Sequence, residues 1–277
     1  MLDFILLFSF AAFVVFLIPG PQQRYAAIAG WTGLVLLLIT EVPYYLSLSN
    51  LLYPVLAILS VPFLLITAKY LLKGDQAVLS LSRAAAVGYL IYAPFGFVPA
   101  IGEWLIGVVV GEVYAILTWL GIAITLMPGN IIARNNFRVE IILACTGIQG
   151  IAIMLGVASA VKTTLRQKVY AFLLIVPTIY LLNLARNVAV IVAYADQWFP
   201  YLPEIAGNGE YGYESFFWAH NIGAEGLALV LLIAIAYALF RIIPLLGDLA
   251  IRLSDLYLGE IRGIWNKIKV LSTITRR

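Results

Sequence analysis

The chain holds a single cysteine, Cys145, a single histidine, His220, and an arginine, Arg186, set inside a long apolar run. Those are side chains from which covalent catalysis can be assembled. Cys145 stands in Ala144-Cys145-Thr146-Gly147-Ile148-Gln149-Gly150, where an alternating stretch gives way to an apolar helix. The positive end of such a helix and its free amide groups favour the thiolate. The competing reading is that a lone cysteine serves as a small buried hydrophobe. Arg186 lies in Leu182-Asn183-Leu184-Ala185-Arg186-Asn187-Val188, where a charge is costly and usually functional. At helical spacing Asn183, Arg186 and Asn187 share one stripe, which makes the bundle interior polar there. The plain alternative is an arginine that snorkels to the headgroups. His220 opens the last apolar run in Phe216-Phe217-Trp218-Ala219-His220-Asn221-Ile222-Gly223-Ala224-Glu225. Alone it reads as an interfacial histidine, with Glu225 one turn deeper as its partner or as a packing acid. Together the three residues are equipment for acyl transfer through a thioester. A thiolate attacks a carbonyl, a cation stabilises the oxyanion, and histidine protonates the leaving amine and then activates the acceptor. Gln149, Asn183, Asn187, Asn221 and Glu225 are the expected supporting side chains. One His and one Cys do not complete a zinc site, so neither a metal nor a cofactor is expected.

These residues must be positioned by elements that tolerate hydrocarbon. Of the 277 residues, 63% are hydrophobic and only 11% charged, with a mean hydropathy of +1.01. That is far from the composition of soluble domains. Without a barrel's alternation, a chain in lipid satisfies its backbone through helices. The expectation is an all-α polytopic membrane protein with about seven or eight spans. Apolar stretches run over 2–19, 25–42, 51–72, 84–101, 146–161, 169–194 and 217–240. The first lacks a preceding basic residue and a cleavage site, and reads as a retained span, not a signal peptide. Segment 104–126 is broken by Glu103 and Glu112; a re-entrant hairpin or an interfacial helix is favoured over an eighth crossing.

Placing the N-terminus outside puts every basic residue except Arg134, Arg138 and Arg186 on the cytoplasmic side, as the positive-inside bias requires. Cys145, Arg186 and His220 then gather at the extracytoplasmic face. The loop 196–215, acidic and rich in Tyr, Trp, Pro and Gly, reads as a lid or rim at the headgroups. Residues 130–142 alternate around Arg134, Asn135 and Asn136, the pattern of a short extracytoplasmic β-hairpin leading to Cys145. Two domains result: a transmembrane domain over 1–243 and a basic amphipathic cytoplasmic tail over 244–277, lying on the leaflet. A net charge of +3 gives no reason to expect nucleic acid as a partner.

In this order and at wide spacing, A-C-T-G-I-Q-G around Cys145, L-A-R-N-V around Arg186 and F-W-A-H-N around His220 make the chain resemble the exosortase and archaeosortase family. The motifs lie in the C-terminal half, and the N-terminal spans match in hydropathy alone. The resemblance implies a cysteine-protease-like membrane transpeptidase. Its partner would be the C-terminal sorting signal of exported surface proteins: a short motif, a transmembrane helix and a basic tail. Among archaeal members the substrates look like S-layer-type glycoproteins with a Pro-Gly-Phe signal, whose new C-terminus is joined to a membrane lipid. By the same resemblance Cys145 is the nucleophile, Arg186 the oxyanion or carbonyl clamp, and His220 the general acid/base, a position held by arginine in some members. Soluble sortases use similar chemistry on an unrelated fold.

Two other readings compete. In one, Arg186, Asn183, Asn187 and Glu225 line the path of a transporter or lipid-binding protein and Cys145 is incidental. In the other, an intramembrane cysteine protease releases its product to water.

Overall fold

The computed structural model describes residues 2–47 and 52–274. The fold is that of an all-α polytopic membrane protein with one small sheet. In chain order it contains α1 (Leu2–Leu17), α2 (Gln23–Ser47), α3 (Leu52–Lys73), α4 (Gln76–Phe97) and α5 (Pro99–Trp119). Then come β1 (Thr125–Met127), β2 (Ile131–Arg134), β3 (Phe137–Glu140), a 3-10 turn (Leu143–Thr146), α6 (Ile148–Ala158) and α7 (Leu165–Ala195). The chain closes with α8 (Pro203–Ala206), α9 (Tyr213–Phe216), a π-helix (Phe217–Ala224), α10 (Glu225–Ile242) and α11 (Pro244–Ile274).

Among the described residues, six helical stretches are long and apolar enough to cross a bilayer: Gln23–Leu46, Tyr53–Lys73, Gln76–Phe97, Pro99–Trp119, Leu165–Ala195 and Tyr213–Ile242. Two shorter apolar helices, Phe4–Leu17 and Ile148–Ala158, bring the total near the expected number. Two expectations need correction. The stretch 146–161 is helical over only 11 residues, about 16 Å, and turns at either end supply the rest of it. Gly147, at φ +80°, closes the turn before it, and Ser159 bonds back to the carbonyl of Gly156 after it. The stretch 104–126 is not a re-entrant hairpin: α5 runs unbroken for 21 residues, a length that fits an interfacial helix as well as a span. Pro99 at its first turn pre-sets the helical φ. Gly121, at φ +72°, ends it, with the Ile122 N–H reaching the Leu117 carbonyl.

The residues divide into two compact units. The first comprises 1–90, 156–163 and 243–277. Its core is Phe13, Phe16, Leu71 and Val78, with Trp31, Tyr89, Leu253 and Leu256 packed against them. Asp75 caps α4, its Oδ1 accepting from the N–H groups of Ala77 and Val78. The other Asp75 oxygen takes Arg252 of α11 at 3.0 Å, and Glu260 of α11 takes Lys69 at 2.6 Å. Tyr70 donates to Glu260, and the hydroxyls of Tyr257 and Thr67 lie 2.6 Å apart. One side of α11 is thus pinned to the α3–α4 corner, while Leu245, Ile251, Leu258, Ile261 and Trp265 stay exposed. Of the tail's other periodic positions, the side chains of Ile264, Ile268 and Leu271 lie outside the described residues, as do Arg276 and Arg277.

The second unit comprises 91–155 and 164–242. Its sheet is an antiparallel meander, β1-β2-β3. The hairpin expected over 130–142 is β2–β3, turning at Asn135 (φ +53°) and Asn136, with Arg134 opposite Phe137. The strand β1 was not anticipated; it pairs Thr125 with Ala133. The core joins one face of α5 (Ile106, Val109, Val110, Val113, Leu117) to Ile132, Ile141, Leu184, Ile191 and Val192. Arg134 grips Asp196 with two nitrogens, at 2.9 and 3.1 Å, which ties the sheet to the end of α7. At the opposite end, Gln167 donates to the Ile242 carbonyl at 3.0 Å, so α7 and α10 run antiparallel. A capping box between Thr164 and Gln167 starts α7.

Candidate active site

The site is organised by one stripe of α7. Its polar residues stand in a largely apolar stretch of the helix, and they reach two other chain segments. Asn183 and Asn187, one turn apart, both donate to the main-chain carbonyl of Cys145, at 2.7 and 2.8 Å. Asn183 is 8% exposed and Asn187 6%. A carbonyl oxygen only accepts, so the amide orientation follows from chemistry. The 3-10 turn carrying Cys145 is closed by Cys145 N–H to the Ile142 carbonyl and by the Thr146 hydroxyl to the Leu143 carbonyl. At Gly147 a Cβ would stand 3.2 Å from the Asn183 side chain, so this glycine serves both the left-handed turn and the approach of Asn183. Cys145 itself is half-buried, packed beside the second unit's core.

Arg186, between the two asparagines, points the other way, and its Nη2 lies 2.9 Å from His220 Nε2. Guanidinium nitrogens only donate, so Nε2 accepts and the proton sits on Nδ1. That proton is directed at Asn221 Oδ1, 2.8 Å away. Glu225 Oε1 stands 3.9 Å from the same Nδ1. His220 is therefore a neutral imidazole held between Arg186 and Asn221, its ring stacked on Phe216. It sits in the middle of the π-helix, whose wider turn is a frequent companion of functional sites. Among the described residues, the Nε of Arg186 is the one buried side-chain nitrogen or oxygen without a hydrogen-bond partner. A buried N–H left unpaired on a cation costs free energy that a ligand's oxygen would recover.

Arg186 and Asn183 lie on the wall of a cavity of about 850 Å³. Along α7 it runs from Ile179 to Ala193, about 21 Å at helical rise, with Arg186 halfway. Beside Arg186 and Ala193 its wall is aromatic: Trp198, Phe199, Tyr201 and Trp218. Towards Ile179 it is aliphatic, with Leu227, Leu231, Leu232 and Ile235. Ala144 and Gly147, on either side of Cys145, line it, as does Gln149.

The sequence marked Cys145, Arg186 and His220 and their polar neighbours. The structure bonds Arg186 to His220, fastens Cys145 to α7 through its carbonyl, and sets Gln149 on the cavity wall. It adds parts that the sequence did not signal. Ser215, fully buried, donates to the Ala193 carbonyl and accepts from Phe199 N–H, pinning the rim loop. The Trp218 indole donates to the Tyr201 carbonyl at 2.7 Å. The aromatic richness of 196–215 was the only advance sign of that rim.

A family model described as transmembrane exosortase matches residues 3–208. Archaeosortase A of Natronomonas pharaonis is 29% identical over 214 residues, covering 71% of this chain and 68% of the relative. Archaeosortase A of Haloferax volcanii is 27% identical over 240 residues, covering 78% and 79%. No solved structure matches.

Proposed function

Because the chain belongs to the transmembrane exosortase family, we propose that it is a membrane cysteine transpeptidase acting on C-terminal sorting signals of exported surface proteins. The observation that carries this reading is the buried, unpartnered Nε of Arg186, a residue that lines a largely apolar cavity, on the helix whose Asn183 and Asn187 hold the Cys145 carbonyl. In the proposed reaction Arg186 Nη2 releases His220 Nε2, which takes the Cys145 thiol proton, and the thiolate attacks the scissile carbonyl. The negative charge gathering on that oxygen draws the Arg186 guanidinium, whose free Nε already faces no competitor. As the C–N bond breaks, the proton passes from His220 to the leaving amine, and the acyl group remains on sulfur as a thioester. An acceptor amine or hydroxyl, deprotonated by His220, then attacks the thioester and returns the thiolate. A membrane lipid is the acceptor in this proposal, and S-layer-type surface proteins are the substrates.

Helix lengths support an extracytoplasmic site. The 31 residues of α7 extend about 46 Å against a hydrocarbon core of about 30 Å. Arg186, the 22nd residue of α7, stands about 32 Å from its start, at the far boundary of the core if α7 begins at the near one. The start lies among Lys162, Arg166 and Lys168 and beside the C-terminal end of α10, which carries Arg241; a basic end belongs in the cytoplasm. By the charge bias of the loops the N-terminus is extracytoplasmic, and α11, which follows the basic end of α10, is cytoplasmic. The aromatic rim falls at headgroup depth and the aliphatic half of the cavity within the bilayer.

Mass spectrometry of the purified protein with a sorting-signal peptide tests the reading. A covalent adduct confined to Cys145 is expected, and unimpaired processing by Cys145→Ala would refute it. Product analysis separates lipid transfer, which yields a lipid-linked C-terminus, from release to water, which yields a free acid.

A further inference from the structure

We infer that Asn183 and Asn187 are positioning residues for the nucleophile: a paired amide clamp that fixes the Cys145 carbonyl and so aims the thiol. The inference rests on the reading of Cys145 as nucleophile. Two buried amides are expensive in an apolar helix, and simple satisfaction of α7 would not require both to converge on a single oxygen of another segment. A carbonyl has two lone pairs, and here each is taken by one asparagine. That leaves the peptide plane following Cys145 without rotational freedom. The left-handed turn at Gly147 then carries the chain from that peptide into α6. Arg186 leaves α7 between the two amides and reaches His220, so one rigid helix sets the nucleophile and the guanidinium–imidazole pair in a common frame. Positioning of this kind acts on the rate of the chemical step, since a small misplacement of a reacting atom is costly. Asn187 is buried and its amide is committed to the Cys145 carbonyl, so its effect should fall on kcat, not KM.

The experiment compares Asn187→Ala, Asn183→Ala, the double variant and Asn187→Asp with wild type, in detergent or liposomes, by peptide cleavage kinetics. Either amide alone still holds one lone pair, so each single alanine variant should lose about tenfold or less in kcat. The double variant should lose up to about a thousand-fold, roughly tenfold beyond the product of the singles. For Asn187→Ala, KM should stay within about twofold. Asn187→Asp supplies the decisive contrast. Its carboxylate repels the carbonyl, while the protonated acid donates to it, so activity relative to wild type should rise as pH falls. Asn187→Ala should show no such limb. The inference is overturned if the double variant equals the product of the singles, if kcat stays at the wild-type value, or if Asn187→Asp follows Asn187→Ala at every pH. If the double variant does not fold, the Asn187→Asp profile decides alone. Cys145→Ala run in parallel separates the two claims: its full activity removes the nucleophile reading, whereas its inactivity beside unimpaired asparagine variants removes only the clamp.

Discussion

The guanidinium of Arg186 divides its nitrogens between two tasks, Nη2 donating to His220 and Nε buried without a partner. A lysine has one nitrogen at the end of a flexible stem and cannot do both. Arg186→Lys should therefore keep the charge yet lower kcat by about 10²- to 10³-fold, the usual cost of losing an oxyanion donor. Wild-type turnover of that variant in the peptide assay would reduce Arg186 to a membrane anchor. At Gly147 two requirements coincide, a φ of +80° and contact with Asn183. Gly147→Ala should destabilise by about 1–2 kcal/mol through backbone strain, seen as a lowered unfolding temperature in detergent. It should lower turnover as well, because the added methyl pushes on a clamp amide. An unchanged unfolding temperature would show that the turn relaxes without cost.

At the scale of elements, the site is a junction of four: the turn before α6, the middle of α7, the π-helix, and the rim loop that α8 and α9 interrupt. The rim depends on Ser215, fully buried and bridging Ala193 and Phe199. Removing its hydroxyl leaves the Phe199 N–H unpaired and takes a donor from the Ala193 carbonyl. Ser215→Ala should cost about 1–3 kcal/mol and make the loop 199–212 more susceptible to limited proteolysis. Equal protease resistance in the variant would show that the aromatic contacts alone hold the rim. The pairing of Arg134 with Asp196 gives the sheet its part: it braces the far end of α7. The π-helix gives His220 a place where one residue bonds Arg186 on one side and Asn221 on the other.

At the scale of the whole chain, charge pairs decide where the last helix rests within the first unit. Burial pushes the Asp75 carboxyl up, but the N–H of Val78, the Arg252 guanidinium and the N–H of Ala77 outweigh it and hold it below its ordinary value. Lys69 and Tyr70 do the same for Glu260. Both carboxyls thus bind protons less readily in the folded chain than in the unfolded one. Their contribution to stability is complete above the unfolded values, near pH 4, and is lost as pH falls through the lower folded values. Acidification below about pH 4 should loosen α11, raising protease cleavage within 244–274. Asp75→Asn combined with Glu260→Gln should show that cleavage already at neutral pH, with little further change on acidification. Retention of the wild-type pH response by this pair would place the control elsewhere.

The sequence by itself determined the class of solvent, the helical answer to it, the β2–β3 hairpin, and the short list of residues able to do thioester chemistry. Those follow from local rules: hydrocarbon forbids unpaired backbone, alternation marks strands, and a lone arginine in an apolar run stands out. Only the tertiary structure decided that α6 stops after 11 residues, since a left-handed glycine and a serine back-bond set its ends where the apolar run continues. It also showed that Asn183 and Asn187 turn to the Cys145 carbonyl while Arg186 turns to His220. Helical periodicity puts the three on one stripe, but which partner each meets depends on segments brought there from 38, 42 and 34 residues away. No spacing within α7 carries that information, because it lives in the packing of other elements against it.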